Sequence, residues 1–274
     1  MFVEVLKTIV YGIVEGITEW LPISSTGHLI LLEEILPLNV SKEFFEFFMV
    51  VIQLGAILAV VTSFFGKLNP IGVRSKKKRK VILQTWVKIL IACVPAGVLG
   101  ILFDDWFDAH FYNPTVVVIA LIAYGVLFIL LEMFYLKNRD FRVMKQSQLT
   151  YQDAIIIGAF QCLALIPGTS RSGSTILGAM ILGVSRPIAA EFSFFLSIPV
   201  MVGASLVKLV KFGFAFSAAE IALTLVGMVV AFLISMLAIR FIMNYVRRHD
   251  FKVFGYYRIA LDFWCCCILR WHKC

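Results

Sequence analysis

Long apolar runs joined by little chain leave this sequence few folds to choose from. Phe44 to Phe65, Val81 to Phe103, Pro114 to Leu136, Pro187 to about Val210 and Ala218 to Met243 each suffice to cross a bilayer as a helix. A last apolar stretch runs from Val253 toward Leu269. Inside hydrocarbon every backbone polar group has to be satisfied within the chain, which selects helices. Of the 274 residues, 61% are hydrophobic and only 15% charged, against about 25% charged in a soluble domain. The expected fold is an all-α polytopic membrane protein, one integral membrane domain over residues 1–274 with no separate soluble unit.

The net charge of +8 sits mainly in short loops. Lys67 to Lys80 holds the run Lys76-Lys77-Lys78-Arg79-Lys80, and Lys137 to Gln148 and Asn244 to Lys252 are basic as well. Such loops read as cytoplasmic anchors beside the bilayer, not as a nucleic-acid surface. Asp104, Asp105 and Asp108 form an acidic link without Lys or Arg, which suits the opposite side. Glu4, Lys7, Glu15 and Glu19 interrupt the N-terminal run, so no cleavable signal peptide is expected. The six cysteines, Cys93, Cys162, Cys265, Cys266, Cys267 and Cys274, show neither zinc spacing with histidine nor a disulfide framework.

Two polar stretches break the apolar pattern. Met1 to Trp20 reads as a helix that Pro22 ends; Ser24-Ser25-Thr26-Gly27 is a turn, and Ser25 or Thr26 is the expected cap of a short helix from His28 to Leu36. Tyr151 to Ile166 is a second short helix, ended by Pro167, and the polar break gives way to another over Thr175 to Gly183. Each helix is short for a span, so the expectation is two re-entrant helix-break-helix hairpins. The halves echo each other: Gly12 and Gly158, and Gly27 and Gly173, lie 146 residues apart. Repeat 1 then covers about 1–136 and repeat 2 about 151–270, each with one hairpin and three spans, about six transmembrane helices in all. Three is odd, so the second repeat enters inverted, the first hairpin from outside and the second from the cytoplasm. Inverted repeats with broken helices place their site near the midplane, where the repeats meet.

The breaks also carry the chemistry. Glu15 and Glu19 are four apart, on one helix face. Carboxylates at membrane depth default to function, the alternative being a solvated interface. Paired, they call for a cation between them, Mg²⁺ or Ca²⁺ with oxygen ligands, or for a shared proton. Ser24, Ser25 and Thr26 serve as turn and cap residues or include a nucleophile, with His28 as its base or as acid for the leaving group. Arg171, among Thr169, Ser170, Ser172 and Gly173, either holds phosphate with its planar fork or pairs with Glu15 or Glu19.

At these two stretches the sequence resembles the undecaprenyl-diphosphate phosphatase family, the bacitracin-resistance membrane phosphatases. The resemblance rests on Glu15-Gly16-Ile17-Thr18-Glu19-Trp20-Leu21-Pro22 with Ser24-Ser25-Thr26-Gly27-His28, and on Pro167-Gly168-Thr169-Ser170-Arg171-Ser172-Gly173. Gln53-Leu54-Gly55 and Glu191-Phe192-Ser193-Phe194 support it. It implies a metal-dependent hydrolase that removes the terminal phosphate of undecaprenyl diphosphate and returns the carrier for peptidoglycan precursors. By the same resemblance Glu15 and Glu19 are the acidic motif and metal ligands, Ser25 the nucleophile, His28 the essential histidine and Arg171 the phosphate-binding arginine. Ser170, Ser172 and Thr26 would add phosphate contacts. A multi-pass enzyme of the bacterial inner membrane, opening outward, is implied; monomer or homodimer stays open. After about Ala260 the tail departs from the pattern, with Cys265-Cys266-Cys267 and Arg270-Trp271-His272-Lys273-Cys274 where an apolar helix is expected. The rival class is a lipid-phosphate flippase or ion-coupled carrier, which broken inverted repeats also fit.

Overall fold

A computed structural model describes residues 2–111, 114–136, 140–213 and 216–271, the side chains at 104, 105, 108, 114 and 264–271 lying outside that description. The helices are α1 (Phe2–Thr18), α2 (Ser25–Ile35), α3 (Lys42–Ser63), the single turn α4 (Phe65–Leu68), α5 (Lys76–Phe111) and α6 (Pro114–Leu130), then α7 (Tyr151–Gln161), α8 (Arg171–Ile181), α9 (Arg186–Phe212), α10 (Ala218–Tyr245) and α11 (Lys252–Trp271). A π turn, Leu131–Tyr135, prolongs α6, and a 3-10 turn, Cys162–Leu165, prolongs α7. No strand occurs among the described residues; Val143 and Val184 make a single bridge.

Five helical stretches among the described residues are long and apolar enough to cross a membrane: Lys42–Ser63, Lys76–Phe103, Thr115–Tyr135, Arg186–Phe212 and Ala218–Tyr245. The protein is thus an all-α, multi-pass membrane protein. Only 22% of the most apolar window of α10 is buried, against 67% for α3. So α3 is the central helix, while α10 turns Leu225, Leu233 and Leu237 outward, as a lipid-facing helix does. The sixth expected span, α11, is helical, but Cys265, Cys266 and Cys267 are outside the described side chains, as is all of Cys274. Cys93 and Cys162 are free thiols.

The expected end of the α5 span at Phe103 coincides with a kink (φ −126°, ψ 15°), and the link beyond it is itself helical to Phe111. No proline or glycine intervenes before Pro114 to stop a helix. The side chains of Asp104, Asp105 and Asp108 are not among those described.

Small residues set the closest helix approaches. A Cβ on Gly12 would lie 2.9 Å from the Gly227 carbonyl oxygen, and one on Gly16 2.9 Å from that of Ala231, so α1 lies backbone to backbone on α10. A Cβ on Gly158 would lie 2.4 Å from the Ala92 oxygen, which seats α7 on α5 in the same manner. In lipid, where apolar burial gives helices little reason to associate, such approach supplies the packing. α3 packs against α9, and α6 against α11. Trp20 is buried edge-on to Phe194, with ring centroids 5.1 Å apart, and so ties the end of α1 to α9. At the basic loops, Glu132 of the π turn pairs with Arg186 (Nε at 2.8 Å) and accepts the Phe251 N–H at 3.0 Å. Arg142 pairs with Asp153 at 2.6 Å.

Candidate active site

Both breaks use one backbone turn. Ser24 (φ 72°, ψ 91°) and Ser170 (φ 73°, ψ 117°) are the non-glycine residues with positive φ among those described. An L-residue held there costs about 1–3 kcal/mol. Each serine answers with a cap: Ser24 Oγ accepts the Gly27 N–H at 3.3 Å and Ser170 Oγ the Gly173 N–H at 3.2 Å. The turn is so tight that the helices resume at once. They start at Ser25 and Arg171, where His28 and Thr175 were expected, and the first cap is Ser24 instead of Ser25 or Thr26.

Ser25 and Arg171 therefore leave from the first turns of α2 and α8, and both reach Glu19. Ser25 Oγ donates to Glu19 Oε2 at 2.5 Å. Arg171 Nη2 donates to Glu19 Oε1 at 2.7 Å, and its Nη1 to the Ser193 carbonyl at 2.7 Å. Of the two carboxylates left open as partners of Arg171, Glu19 is the one that pairs. Arg171 Nε is buried and meets no acceptor among the described residues. All three side chains are largely withdrawn from solvent; Glu19 is 5% exposed and Ser25 8%.

The hydroxyls of the second break join the first. Ser170 Oγ lies 3.2 Å from Ser172 Oγ, and Ser172 Oγ donates to the Leu21 carbonyl at 3.2 Å. Thr175 Oγ1 lies 2.7 Å from Ser193 Oγ. Thr26 is half-buried in the first turn of α2.

His28 was expected beside the Ser25 hydroxyl, and the structure does not bring these two groups into contact. Its Nδ1 lies 2.7 Å from the Ser24 carbonyl and its Nε2 2.8 Å from the Tyr257 hydroxyl. A carbonyl only accepts, so Nδ1 carries a proton, and in the neutral ring Nε2 accepts from the Tyr257 hydroxyl. The two rings stack at 5.7 Å between centroids. Ser25 turns to the carboxylate one way, and His28, three residues on, is drawn the other way to α11.

Glu15 is fully buried one turn before Glu19, and neither of its oxygens meets a donor among the described residues. No group of three or more His, Cys, Asp or Glu gathers there among the described residues. The protein thus offers two carboxylates and hydroxyls. A hard cation that completes its shell with substrate phosphate and water fits that donor set, and the orphaned oxygens of Glu15 are the observation in its favour.

Sequence reasoning gave α11 as the last span but missed its part in the site. Arg258 is fully buried. Its Nη1 donates to the Pro22 carbonyl (3.1 Å), its Nη2 to those of Gly168 (2.6 Å) and Thr169 (3.0 Å), and its Nε to that of Leu121 (3.3 Å). A charge inside the last apolar stretch was the available signal; nothing in the sequence marked Tyr257.

Residues 8–264 match the family model of the bacitracin resistance protein BacA. The chain is 54% identical to an undecaprenyl-diphosphatase of Enterococcus faecalis, over 95% of this chain and 95% of that protein. It is 57% identical to the undecaprenyl-diphosphatase of Acetivibrio thermocellus, over 94% and 95%, and 56% to undecaprenyl-diphosphatase 1 of Clostridioides difficile, over 94% and 93%. The family match ends just before the cysteine-rich tail.

Proposed function

The chain belongs to the bacitracin resistance protein BacA family, and from that premise we propose that it hydrolyses undecaprenyl diphosphate to undecaprenyl phosphate and inorganic phosphate. It thereby recycles the lipid carrier of peptidoglycan synthesis and confers bacitracin resistance. One observation carries the reading: a buried hydroxyl, a carboxylate and a guanidinium, Ser25–Glu19–Arg171, are linked across two breaks distant in sequence.

The diphosphate takes the place of Glu19 on Arg171, whose fork matches phosphate oxygens. Ser170, Ser172, Thr26 and the N–H groups opening α8 add donors. Glu19, released, accepts the Ser25 proton as Oγ attacks the terminal phosphorus. The Oγ–P bond forms, the bond from phosphorus to the bridging oxygen breaks, and undecaprenyl phosphate departs with that electron pair. Water then attacks the phosphoserine. The serine oxygen recovers its proton from Glu19, and the water's proton passes through the Tyr257 hydroxyl to His28 Nε2. A divalent cation, Mg²⁺ or Ca²⁺, held by Glu15 and Glu19 would neutralise charge on the diphosphate.

The finer architecture is part of this reading. α1–α2 and α7–α8 are re-entrant hairpins, and residues about 1–136 and 151–270 form an inverted repeat in one integral domain. The exchange of partners supports it: α1 lies on α10 as α7 lies on α5. By their charge the basic loops face the cytoplasm of a bacterial inner membrane, with the site opening to the outer face.

The test is phosphate release from a C15 or C55 prenyl diphosphate in detergent, with Mg²⁺ and with chelator, beside Arg171→Ala and Glu19→Ala. Metal-dependent release that both substitutions abolish is expected. No release from folded wild type would sink the reading in favour of a lipid carrier, the activity the broken, paired halves otherwise fit.

A further inference from the structure

We propose that Arg258 is a positioning residue that holds the two breaks in register for the chemical step, an assignment that rests on the phosphatase reading above. A guanidinium buried in a membrane protein ordinarily meets a carboxylate, because an unpaired buried charge is costly. Arg258 is fully buried and, among the described residues, no carboxylate lies within ion-pairing distance. Its partners are backbone carbonyls from three separate segments: Pro22 of the first break, Gly168 and Thr169 of the second, and Leu121 of α6. The ring of Tyr124, also on α6, lies 5.5 Å from the guanidinium carbon.

These acceptors explain the residue type. A helix that stops at membrane depth strands carbonyls with no intrahelical donor and no bulk water. A planar fork of five N–H groups satisfies several at once; an ammonium on a flexible stem does not. The places gripped explain the role. Pro22 lies two residues before Ser24, and Gly168 and Thr169 come just before Ser170. Arg258 thus holds each chain immediately ahead of the serine that turns it. Those two turns aim Ser25 and Arg171, so one side chain fixes the nucleophile relative to the phosphate ligand. The first turn of α8 rests on it too, since a Cβ on Gly173 would lie 3.3 Å from Arg258 Nη1. The neighbouring Tyr257 meets His28, which makes α11 a supporting wall of the site.

The experiment measures kcat, KM and Tm for a C15 prenyl diphosphate with wild type, Arg258→Lys and Arg258→Met. A misplacement of about 1 Å costs about 10²-fold in rate. Arg258→Met is therefore expected to lose about 10²-fold in kcat, and Arg258→Lys, which keeps the charge but not the fork, about tenfold, with KM within about threefold of wild type. Phe48→Leu, in the separate core around Tyr11, serves as a control that lowers Tm while kcat per folded molecule stays at wild type. Wild-type kcat in folded Arg258→Lys overturns the proposal. So does an equal kcat loss in Phe48→Leu at matched Tm, or failure of both Arg258 variants to fold, since either marks a purely structural arginine. If only Arg258→Met fails to fold, Arg258→Lys decides. A wild type inactive on prenyl diphosphates sinks the phosphatase reading, a result distinct from all of these.

Discussion

Ser24 and Ser170 hold the same place in two helix-break-helix units, with φ of 72° and 73° and the same cap onto a glycine three residues on. The residue after each serine differs: the helix opens on Ser25 in one unit and on Arg171 in the other. At the same spacing of 146 residues, Glu15 stands against Gln161 and Glu19 against Leu165. At the site the first unit contributes the two carboxylates and Ser25, and the second contributes Arg171 with the hydroxyls of Ser170 and Ser172. A shared turn delivers the first-turn side chain to one place, and divergence at that single position supplies both a nucleophile and a ligand for its target. The contrast also eases the burial problem, since Glu19 of one unit is paired with Arg171 of the other.

The sharpest break of the contrast is Ser25→Ala, which removes the acidic unit's hydroxyl and leaves its carboxylates. With Ser25 as nucleophile, kcat falls on the order of 10⁴-fold, and no phosphoserine is captured from the variant while one is captured from wild type. Full hydrolysis by Ser25→Ala would mean direct attack by water, with Ser25 reduced to a phosphate contact.

Next comes the basic unit. Arg171→Ala is expected to lower kcat/KM about 10³-fold. It also leaves Glu19 buried without a counter-ion, a destabilisation of about 3–5 kcal/mol. Arg171→Lys keeps the charge and separates the two effects. Lysine cannot serve both Glu19 and the Ser193 carbonyl from one planar fork, so folded Arg171→Lys should still lose about 10²-fold. A loss below about tenfold in that variant would remove bidentate phosphate binding from the mechanism.

Why these residues stood out in the sequence, and others did not, is a matter of what each costs. Glu15, Glu19 and Arg171 interrupt apolar runs, where a charge is expensive and therefore conspicuous. Pro22 and Pro167 punctuate helices and gave both breaks. The resumption of the helices at Ser25 and Arg171 was hidden, because it depends on serine taking a backbone conformation that glycine favours. The Ser25–Glu19 bond was hidden behind the nearer Ser25–His28 spacing, although His28 is held away by Tyr257, 229 residues distant. The end of the span at Phe103 was legible, but the helical form of the acidic link beyond it was not, because charge marks a connection without fixing its backbone. Arg258 was legible by the rule that found Arg171, but its acceptors are carbonyls, which no side-chain motif records.

Glu15→Gln tests the contrast at the metal, since it gives the acidic unit the residue that Gln161 provides in the other. With Glu15 as a cation ligand, the Mg²⁺ concentration for half-maximal phosphate release rises about tenfold or more, and Mn²⁺ binding followed by spin resonance weakens in parallel. An unchanged metal requirement would assign the orphaned oxygens of Glu15 to a proton instead.

A smaller effect is expected where each unit leans on the opposite half. Gly158→Ala would place a methyl 2.4 Å from the Ala92 oxygen, and Gly12→Ala one at 2.8 Å from the Val230 Cβ. Gly12→Ala also meets backbone, the Gly227 oxygen at 2.9 Å, but the approach at Gly158 is closer and harder to relieve, so Gly158→Ala should lower Tm in detergent more than Gly12→Ala. Overpacking of this kind costs about 1–3 kcal/mol. Equal shifts would mean that the two seats, α7 on α5 and α1 on α10, are equally compliant.

The smallest effect belongs to the caps themselves, and it asks whether the two units act as one. Ser24→Ala and Ser170→Ala each remove the acceptor of one glycine N–H and keep a Cβ at positive φ, with an expected loss of about 1 kcal/mol apiece. Ser24→Gly and Ser170→Gly lose the same acceptor but relax the backbone, so each should cost only a few tenths, about 0.3 kcal/mol. The double alanine variant is the informative one. Distant sites add within about 0.5 kcal/mol, whereas sites sharing a partner do not. Ser172 on the Leu21 carbonyl and Arg258 on the carbonyls of both breaks are shared partners. Loosening one turn should therefore loosen the other, and the double variant should depart from the sum of the singles by more than that margin. Strict additivity would make the breaks independent turns that merely face each other across Glu19.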